Sequence, residues 1–189
     1  MESFVVKTIR QLADIDQADK EIYEKYFQVR EVKKGDYFLK EGQVCRYMGL
    51  IESGLMRNFI IQEGAERTFD FISEMGFLSN YESFITQQPS LTNIQALEDT
   101  VIHIASYDDF QYIYQHTKSG DRIGRLVLGR AFTKVRNELN SFYTDSAQQR
   151  YQKFIDCYPK LQQRISQYHI ASFVGVNPPS LSRIRKRNR

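Results

Sequence analysis

The chain has 189 residues, of which 26 % are charged and 41 % hydrophobic, and its formal net charge is +3. This length allows one full domain and a small second one, and the composition excludes a disordered or fibrous protein. The two cysteines, Cys45 and Cys157, lie far apart, which argues against a disulfide framework and leaves too few thiols for an iron–sulfur cluster. Because the sequence contains neither a signal peptide nor an apolar run of about 18 residues, we expect a cytoplasmic protein without a membrane partner.

The first two thirds of the chain predict a short helical opening followed by a β-rich domain. Apolar residues between Phe4 and Tyr26 recur at helical spacing. From Phe27 to about Ser106, runs such as YMGLIESG and LMRNFIIQ are rich in strand-forming residues and are separated by glycines. Seven or eight strands in about 80 residues predict a small antiparallel barrel or jelly roll. We expect Gly35 and Gly54 to adopt positive φ in turns.

A helical segment follows the β-rich part. YDDFQYIYQHT predicts a short helix capped by Ser106 or Asp108, and residues 119–143 predict a helix of roughly 35 Å, longer than a small domain requires. The apolar residues of the long helix recur at spacings of three and four, as in a coiled-coil seam: Leu128, Ala131, Val135, Leu139 and Phe142. This stripe predicts a homodimer; the alternative is that it packs on its own barrel.

The carboxy-terminal part predicts two helices joined by a tight turn. After a hinge near Tyr143–Asp145, one amphipathic helix ends at Pro159. A second helical pattern runs from Ile165 to Val174, where Gly175 ends it, Asn177 can cap the next helix, and Pro178 suits the first helical position. A helix pair with about three residues between its members is a helix-turn-helix, whose second helix enters the DNA major groove.

The last helix is strongly basic. Arg183, Arg185, Lys186, Arg187 and Arg189 contribute +5, so residues 1–177 sum to about −2. This asymmetry predicts contact with a polyanion such as duplex DNA, although a frayed basic terminus or a plain helical hairpin with a solvated basic face would show it too. With Leu181 and Ile184 facing inward, the expected DNA-binding residues are Asn177, Ser180, Ser182, Arg183, Arg185, Lys186 and Arg187. Arg183 is the expected base contact, and the later basic residues are expected phosphate contacts.

Two segments, KKGDYFLKEGQVCRYMGLIESGLMR and IASFVGVNPPSLSRIRK, together with the order of elements, resemble the Crp/Fnr family of bacterial transcription regulators, in the style of its short Bacteroidetes-type members. The resemblance implies an α+β fold with an amino-terminal antiparallel β jelly roll of the cyclic-nucleotide-binding type. It also implies a dimer that binds a near-palindromic operator, with RNA polymerase as a further candidate partner. The implied domains are a sensor (1–118), a dimerisation helix (119–143) and a helix-turn-helix domain (144–189).

The resemblance fails at the ligand pocket. Family members that bind cyclic AMP hold it with a Gly-Glu pair and a later Arg-Ser pair, where this chain has Ser79-Asn80 and Ser90-Leu91. Without the arginine a buried phosphate lacks its partner, so we expect neither usual cyclic AMP binding nor any other defined cofactor, although a different small-molecule effector stays open. The candidate pocket residues are Ser79, Asn80, Tyr81, Glu82, Ser90 and Leu91, with Asn93 as a weaker one.

Other functions have less support in the sequence. No motif for a catalytic carboxylate pair, nucleophile or phosphate-binding loop is recognisable, so we expect no enzymatic activity. A cupin-type metalloenzyme would need a histidine cluster on neighbouring strands, whereas His103 is the only expected strand histidine, and His116 and His169 show no ligand spacing. The main alternative is a ligand-binding sensor module that acts through protein partners.

Overall fold

A computed structural model describes residues 2–187, so the terminal basic residue Arg189 lies outside the described part. The helices within this range are α1 Phe4–Arg10, α2 Gln17–Tyr26, α3 Tyr81–Thr86, α4 Tyr107–His116, α5 Gly120–Thr144, α6 Ala147–Cys157, α7 Gln167–Val174 and α8 Pro178–Arg187. The strands are β1 Gln28–Val32, β2 Tyr37–Leu39, β3 Tyr47–Ser53, β4 Met56–Gln62, β5 Ala65–Ile72, β6 Phe77–Leu78, β7 Asn93–Ala96 and β8 Thr100–Ser106.

The strands form two four-stranded sheets, in the orders β1-β8-β3-β6 and β2-β7-β4-β5. The antiparallel jelly roll predicted from the sequence is confirmed. Side chains that alternate inward along the strands form its core, among them Ile51, Met56 and Ile102. Gly54 has φ +104°, and a Cβ there would lie 2.4 Å from the Thr100 hydroxyl, so the turn after β3 requires glycine as predicted.

The helical opening consists of two helices. The helical period between Phe4 and Tyr26 corresponds to two helices, and the Asp16 carboxylate, which accepts a hydrogen bond from the Asp19 amide, starts α2 as a separate element. The short helix α3 had no sequence prediction, since six residues are too few to show a helical period. Its signal was Asn80, which caps the helix by accepting from the Ser83 amide.

The start of the long helix α5 is fixed by a buried carboxylate from α2. Asp19 is 3 % exposed and accepts hydrogen bonds from the amides of Lys118 and Ser119, at 2.9 and 3.1 Å, and from the Ser119 hydroxyl at 2.6 Å. The Tyr23 hydroxyl lies 3.1 Å from the same Ser119 hydroxyl. Asp19 therefore accepts hydrogen bonds from main-chain amides at the beginning of α5, which have no carbonyl partner within the helix.

The chain divides into two compact units. One contains residues 1–58 and 71–130, with the jelly roll and helices α1 to α4; the other contains residues 59–70 and the described residues from Ala131 onward. In the second unit, α6, α7 and α8 contact one another around a buried apolar core. Its members are Tyr151, Phe154, Leu161, Ile165, Ile170, Ala171, Val174 and Leu181. None of the helices between residues 2 and 187 is long and apolar enough to cross a membrane.

Candidate nucleic-acid interface and ligand pocket

Helices α7 and α8 are joined by the tight turn that the sequence predicts. Gly175 ends α7 in the left-handed conformation, φ 76°, and the Val176 amide donates to the Ala171 carbonyl at 2.9 Å. The Asn177 side chain accepts from the Ser180 amide at 2.9 Å, and Pro178 is the first residue of α8. Helix α7 begins at Gln167 with Ser166 as its cap, so Ile165, predicted within the helix, lies before it.

The exposed face of α8 is polar and basic. Leu181 is completely buried, whereas Asn177, Ser182, Arg183, Lys186 and Arg187 are exposed. Ser180 and Arg185, two of the expected DNA-binding residues, are half-buried, and Arg185 lies one turn after Leu181 and so flanks the buried face. Residues 178–187 contain no acidic side chain. All the charges that this helix exposes are therefore positive.

The second half of α5 has an apolar stripe that the chain itself leaves open. Val135, Leu139 and Phe142 are 61, 55 and 61 % exposed, and Ala131 is also exposed. Phe132, which the sequence analysis missed, is 69 % exposed and fits the seam better than Ala131, because positions 128, 132, 135, 139 and 142 alternate in steps of four and three. Leu128 differs, since it is half-buried.

Arg150 connects the end of α5 to the end of α7. Its guanidinium donates to the Val174 carbonyl at 2.8 Å and to the Asp145 carbonyl at 2.7 Å, and it lies 5.2 Å from the centre of the Phe142 ring. A Cβ at Gly175 would come within 3.2 Å of the same ring. The last residue of the stripe thus packs beside the turn between α7 and α8. Charge patterning alone did not single out Arg150.

The residues at the position of the cyclic nucleotide cassette bond to one another. The Asn80 amide nitrogen donates to the hydroxyls of Ser90 and Thr92 at 3.1 and 2.8 Å, and the Ser90 hydroxyl donates to the Thr92 carbonyl at 2.9 Å. Since the Asn80 oxygen already caps α3, all three polar functions of this side chain are used. A phosphate would have to replace these bonds without an arginine in return.

The other candidate pocket residues are dispersed. Leu91 is 77 % exposed, Tyr81 and Glu82 lie exposed on the first turn of α3, and the Ser79 hydroxyl is 3.5 Å from the Cys45 sulfur. The Asn93 oxygen accepts from the Glu41 amide at 3.0 Å, while its buried nitrogen has no partner in the described part of the chain. These side chains do not converge on one ligand.

A small apolar cavity of about 40 Å³ lies elsewhere in the first unit, between α1, α2, α4 and the first turns of α5. Tyr81 lines it, but Asn80 and Ser90 do not. Since a cavity of about 150 Å³ holds a benzene molecule, a space of about 40 Å³ is far too small for a nucleotide. Burial raises the pKa of the lining residue Tyr114, with the charge of neighbouring Tyr81 adding to the effect.

A cluster of ionisable groups lies where α5 meets β5 and the end of α6. The Lys134 ammonium donates to the Asp70 carboxylate and lies 5.5 Å from the centre of the Tyr158 ring. Burial alone would lower the pKa of Lys134, but the Asp70 carboxylate outweighs it, and the pKa lies above its ordinary value. Burial raises the pKa of Tyr158 to about 12 and that of Glu138, one turn after Lys134, to about 7.

Glu138 should make stability depend on pH. Its pKa rises from 4.5 in the unfolded chain to about 7 in the folded one, so the folded state binds the extra proton between these values. The free energy of unfolding should therefore fall as pH rises from 4.5 to 7 and then level off. At roughly 1.4 kcal/mol per pKa unit this shift corresponds to about 3 kcal/mol, which solvent screening of the partly exposed side chain reduces. We therefore expect Glu138→Gln to stabilise the protein by about 2 kcal/mol at pH 8 and to change little at pH 4.5.

Urea titrations at both pH values would test this expectation. Glu41→Gln, which alters an exposed carboxylate, provides the control and should shift neither curve. Equal stabilisation by Glu138→Gln at both pH values would contradict the assignment of a raised pKa to Glu138.

The histidines have structural partners. His103, buried on β8 as predicted, lies 2.7 Å from the Glu52 carboxylate and stacks on Phe4. His116 stacks on Tyr112, and the His169 amide donates to the Ser166 hydroxyl that caps α7. Among residues 2–187 no group of three or more histidine, cysteine or acidic side chains could hold a metal ion.

Comparison with known proteins agrees with this geometry. Residues 29–117 match the family model of the cyclic nucleotide-binding domain, and the sequence has no significant match among curated proteins. Among solved structures, a transcriptional regulator assigned to the Crp/Fnr family from Eubacterium rectale aligns with a TM-score of 0.69 at 17 % identity, over 92 % of this chain and 83 % of that one. The fold is that of a Crp/Fnr regulator.

Two further structures show the Crp/Fnr fold along nearly the whole chain. The c-di-GMP responsive global regulator CLP of Xanthomonas campestris aligns with a TM-score of 0.73 at 14 % identity, over 92 % of this chain and 91 % of that one. A mutant of CooA from Carboxydothermus hydrogenoformans aligns with a TM-score of 0.75 at 16 % identity, over 99 % and 84 %. Because these alignments reach well beyond residue 117, the fold similarity is not confined to the cyclic nucleotide-binding domain.

Proposed function

We propose that this protein is a homodimeric, non-enzymatic transcription regulator of the Crp/Fnr type, which inserts α8 into the major groove of an operator. The observation that supports this most is the α7–α8 pair, whose second helix is packed through the buried Leu181 and exposes Ser182, Arg183, Lys186 and Arg187 after its first turn. Arg183 is the proposed base contact, because its forked donors match guanine O6 and N7. Lys186 and Arg187 are proposed to bind phosphates.

The proposed dimer forms along α5. Four apolar side chains, Phe132, Val135, Leu139 and Phe142, are more than half exposed, and a second copy of the same helix would cover them in a coiled-coil seam. The proposed division of labour is a sensor domain over residues 1–118, a dimerisation helix over 119–143 and a DNA-binding domain over 144–189.

The sensor domain is proposed not to bind cyclic AMP in the usual way. Asn80, Ser90 and Thr92 satisfy one another, so a buried phosphate would displace good hydrogen bonds and would lack the arginine that the family's cassette supplies. A different effector would require another site or a rearranged pocket.

Binding of the full chain to duplex DNA, measured by fluorescence anisotropy, tests the proposed function. The unaltered protein should select a duplex from a random pool and bind it with an affinity that falls steeply with salt. Arg183→Ala should reduce discrimination against changed base pairs by about 5- to 150-fold, equivalent to roughly 1–3 kcal/mol per contact. Lys186→Ala should weaken binding to all duplexes alike and lower the salt slope by about one.

A matched control removes the same charge elsewhere. Arg122→Ala alters an exposed arginine on the first turn of α5 and should leave discrimination unchanged. If Arg183→Ala behaves like Arg122→Ala, the proposed role of Arg183 fails. If the unaltered chain shows no salt-sensitive duplex binding, a sensor that acts through protein partners becomes the better hypothesis.

A further inference from the structure

We propose that the β4–β5 hairpin (residues 59–70) holds α7, and with it the recognition helix, at a fixed orientation to α5, and that Ser172 is the positioning residue. This inference rests on the proposed function and adds a residue outside the DNA-contacting face. The hairpin lies in the same compact unit as the second half of α5 and helices α6 to α8.

Ser172 bonds twice to the main chain of β5. Its hydroxyl accepts from the Thr68 amide at 2.9 Å and donates to the Glu66 carbonyl at 2.8 Å, across more than 100 positions of sequence. A serine hydroxyl can do both at once. Strand β5 is the edge of its sheet, so its outward main-chain groups have no neighbouring strand, and Thr68 is nevertheless only 5 % exposed.

The hairpin is also bonded to α5. Asp70, at the end of the hairpin, accepts from the Lys134 ammonium, which lies over the Tyr158 ring at the end of α6. The hairpin therefore bonds to α5 through Asp70 and to α7 through residues 66 and 68. The contact of Asp70 with α5 and the contacts of residues 66 and 68 with α7 together restrict how α7 can rotate relative to α5.

Helix α7 transmits this restriction to α8. Ile170, Ala171 and Val174 are buried in the helical core, and Phe173 contacts the rings of Phe154 and Tyr158 at 5.5 and 6.1 Å. The turn to α8 is short and is closed by main-chain hydrogen bonds. A change in the angle of α7 would therefore move α8 with it.

The contact between Ser172 and the hairpin positions α8 and leaves its basic residues accessible to DNA. With Ser172 bonded to the hairpin, Ser182, Arg183, Lys186 and Arg187 are all exposed. The bonded state is thus able to receive DNA, and DNA binding should favour it. By reciprocity, binding of the duplex should strengthen the Ser172–Thr68 bond.

Hydrogen exchange of the Thr68 amide and duplex affinity, measured on the full chain, test this inference together. Ser172→Ala should accelerate Thr68 exchange and weaken binding of the selected duplex about tenfold, as expected for the loss of two hydrogen bonds. The salt slope should stay the same, because no phosphate contact is removed. Ser172→Thr keeps the hydroxyl and should restore both properties, and addition of the duplex should slow Thr68 exchange in the unaltered protein.

Ser166→Ala is the matched control, because it removes the cap of α7 and leaves the hairpin bonds in place. It should not accelerate Thr68 exchange. The inference is overturned if Ser172→Ala binds the duplex as tightly as the unaltered chain, if Ser166→Ala reproduces both of its effects, or if the duplex accelerates Thr68 exchange. Absence of duplex binding by the unaltered chain would overturn the proposed function, whereas Thr68 exchange in the free protein would still report on the bond itself.

Discussion

Replacing Leu139 by lysine should convert the proposed dimer to monomers and lower operator affinity by about 100-fold or more. Leu139 lies between Val135 and Phe142 in the exposed stripe of α5. In a parallel helix pair the two ammonium groups would face each other across an apolar seam, where burial of unpaired charge costs several kcal/mol. A monomer would bind one half-site and would lose the effective concentration that links the two recognition helices.

Sedimentation across a concentration series and anisotropy with the selected duplex would measure both effects. Asn140→Lys introduces the same charge one residue later, at an exposed position off the stripe, and should leave the dimer intact. If Leu139→Lys remains dimeric at the concentrations where the unaltered chain is dimeric, the subunits associate through another surface. If it becomes monomeric but still binds the operator tightly, the second recognition helix contributes little.

Substituting Asp19 by alanine should destabilise the first unit by about 3 kcal/mol. The change removes one acceptor for two main-chain amides and one hydroxyl just before α5; the two Ser119 donors are buried and the Lys118 amide is partly buried. Each buried donor left without a partner costs roughly 1–3 kcal/mol. For a chain of this size, a loss of that magnitude corresponds to a melting temperature about 10 °C lower.

Calorimetry would measure the change in melting temperature. Two further variants would show whether the change is specific to the Asp19 carboxylate. Asp14→Ala alters an exposed acid in the loop before α2 and should have little effect. Asp19→Asn keeps the size and one acceptor, so its effect should be intermediate. A melting temperature for Asp19→Ala within 2–3 °C of that of the unaltered protein would show that water replaces the carboxylate without cost.

The elements that local sequence specifies were predictable. Gly175, Asn177 and Pro178 each act on residues only a few positions away. In the structure Gly175 is the C-cap of α7, Asn177 caps the start of α8, and Pro178 is the first residue of α8. The jelly roll followed from short apolar runs and their turn glycines. The absence of an arginine near Ser90 was equally visible, because it concerns residue identity and not geometry.

What the sequence could not show depends on distant contacts. The bonds of Ser172 to residues 66 and 68 and of Asp19 to residues 118 and 119 join segments about 100 residues apart, and no periodicity marks them. Phe132 was missed for a different reason: Ala131 and Phe132 both lie three or four residues from Leu128 and from Val135, and the exposed fraction of Phe132 shows that it belongs to the open stripe. Arg185 resembles its basic neighbours in sequence, although its place beside Leu181 makes it half-buried.

The hydrogen bonds from Ser172 to the main chain of β5 also protect this strand edge from pairing with another molecule. An edge strand with open main-chain groups can accept a strand from another molecule, and natural proteins protect such edges. The hairpin that contains this edge also has exposed apolar side chains at Ile61 and Phe69. Helix α7 therefore prevents intermolecular strand addition at residues 66 and 68, and any motion that lifts it away would leave the sheet open to aggregation.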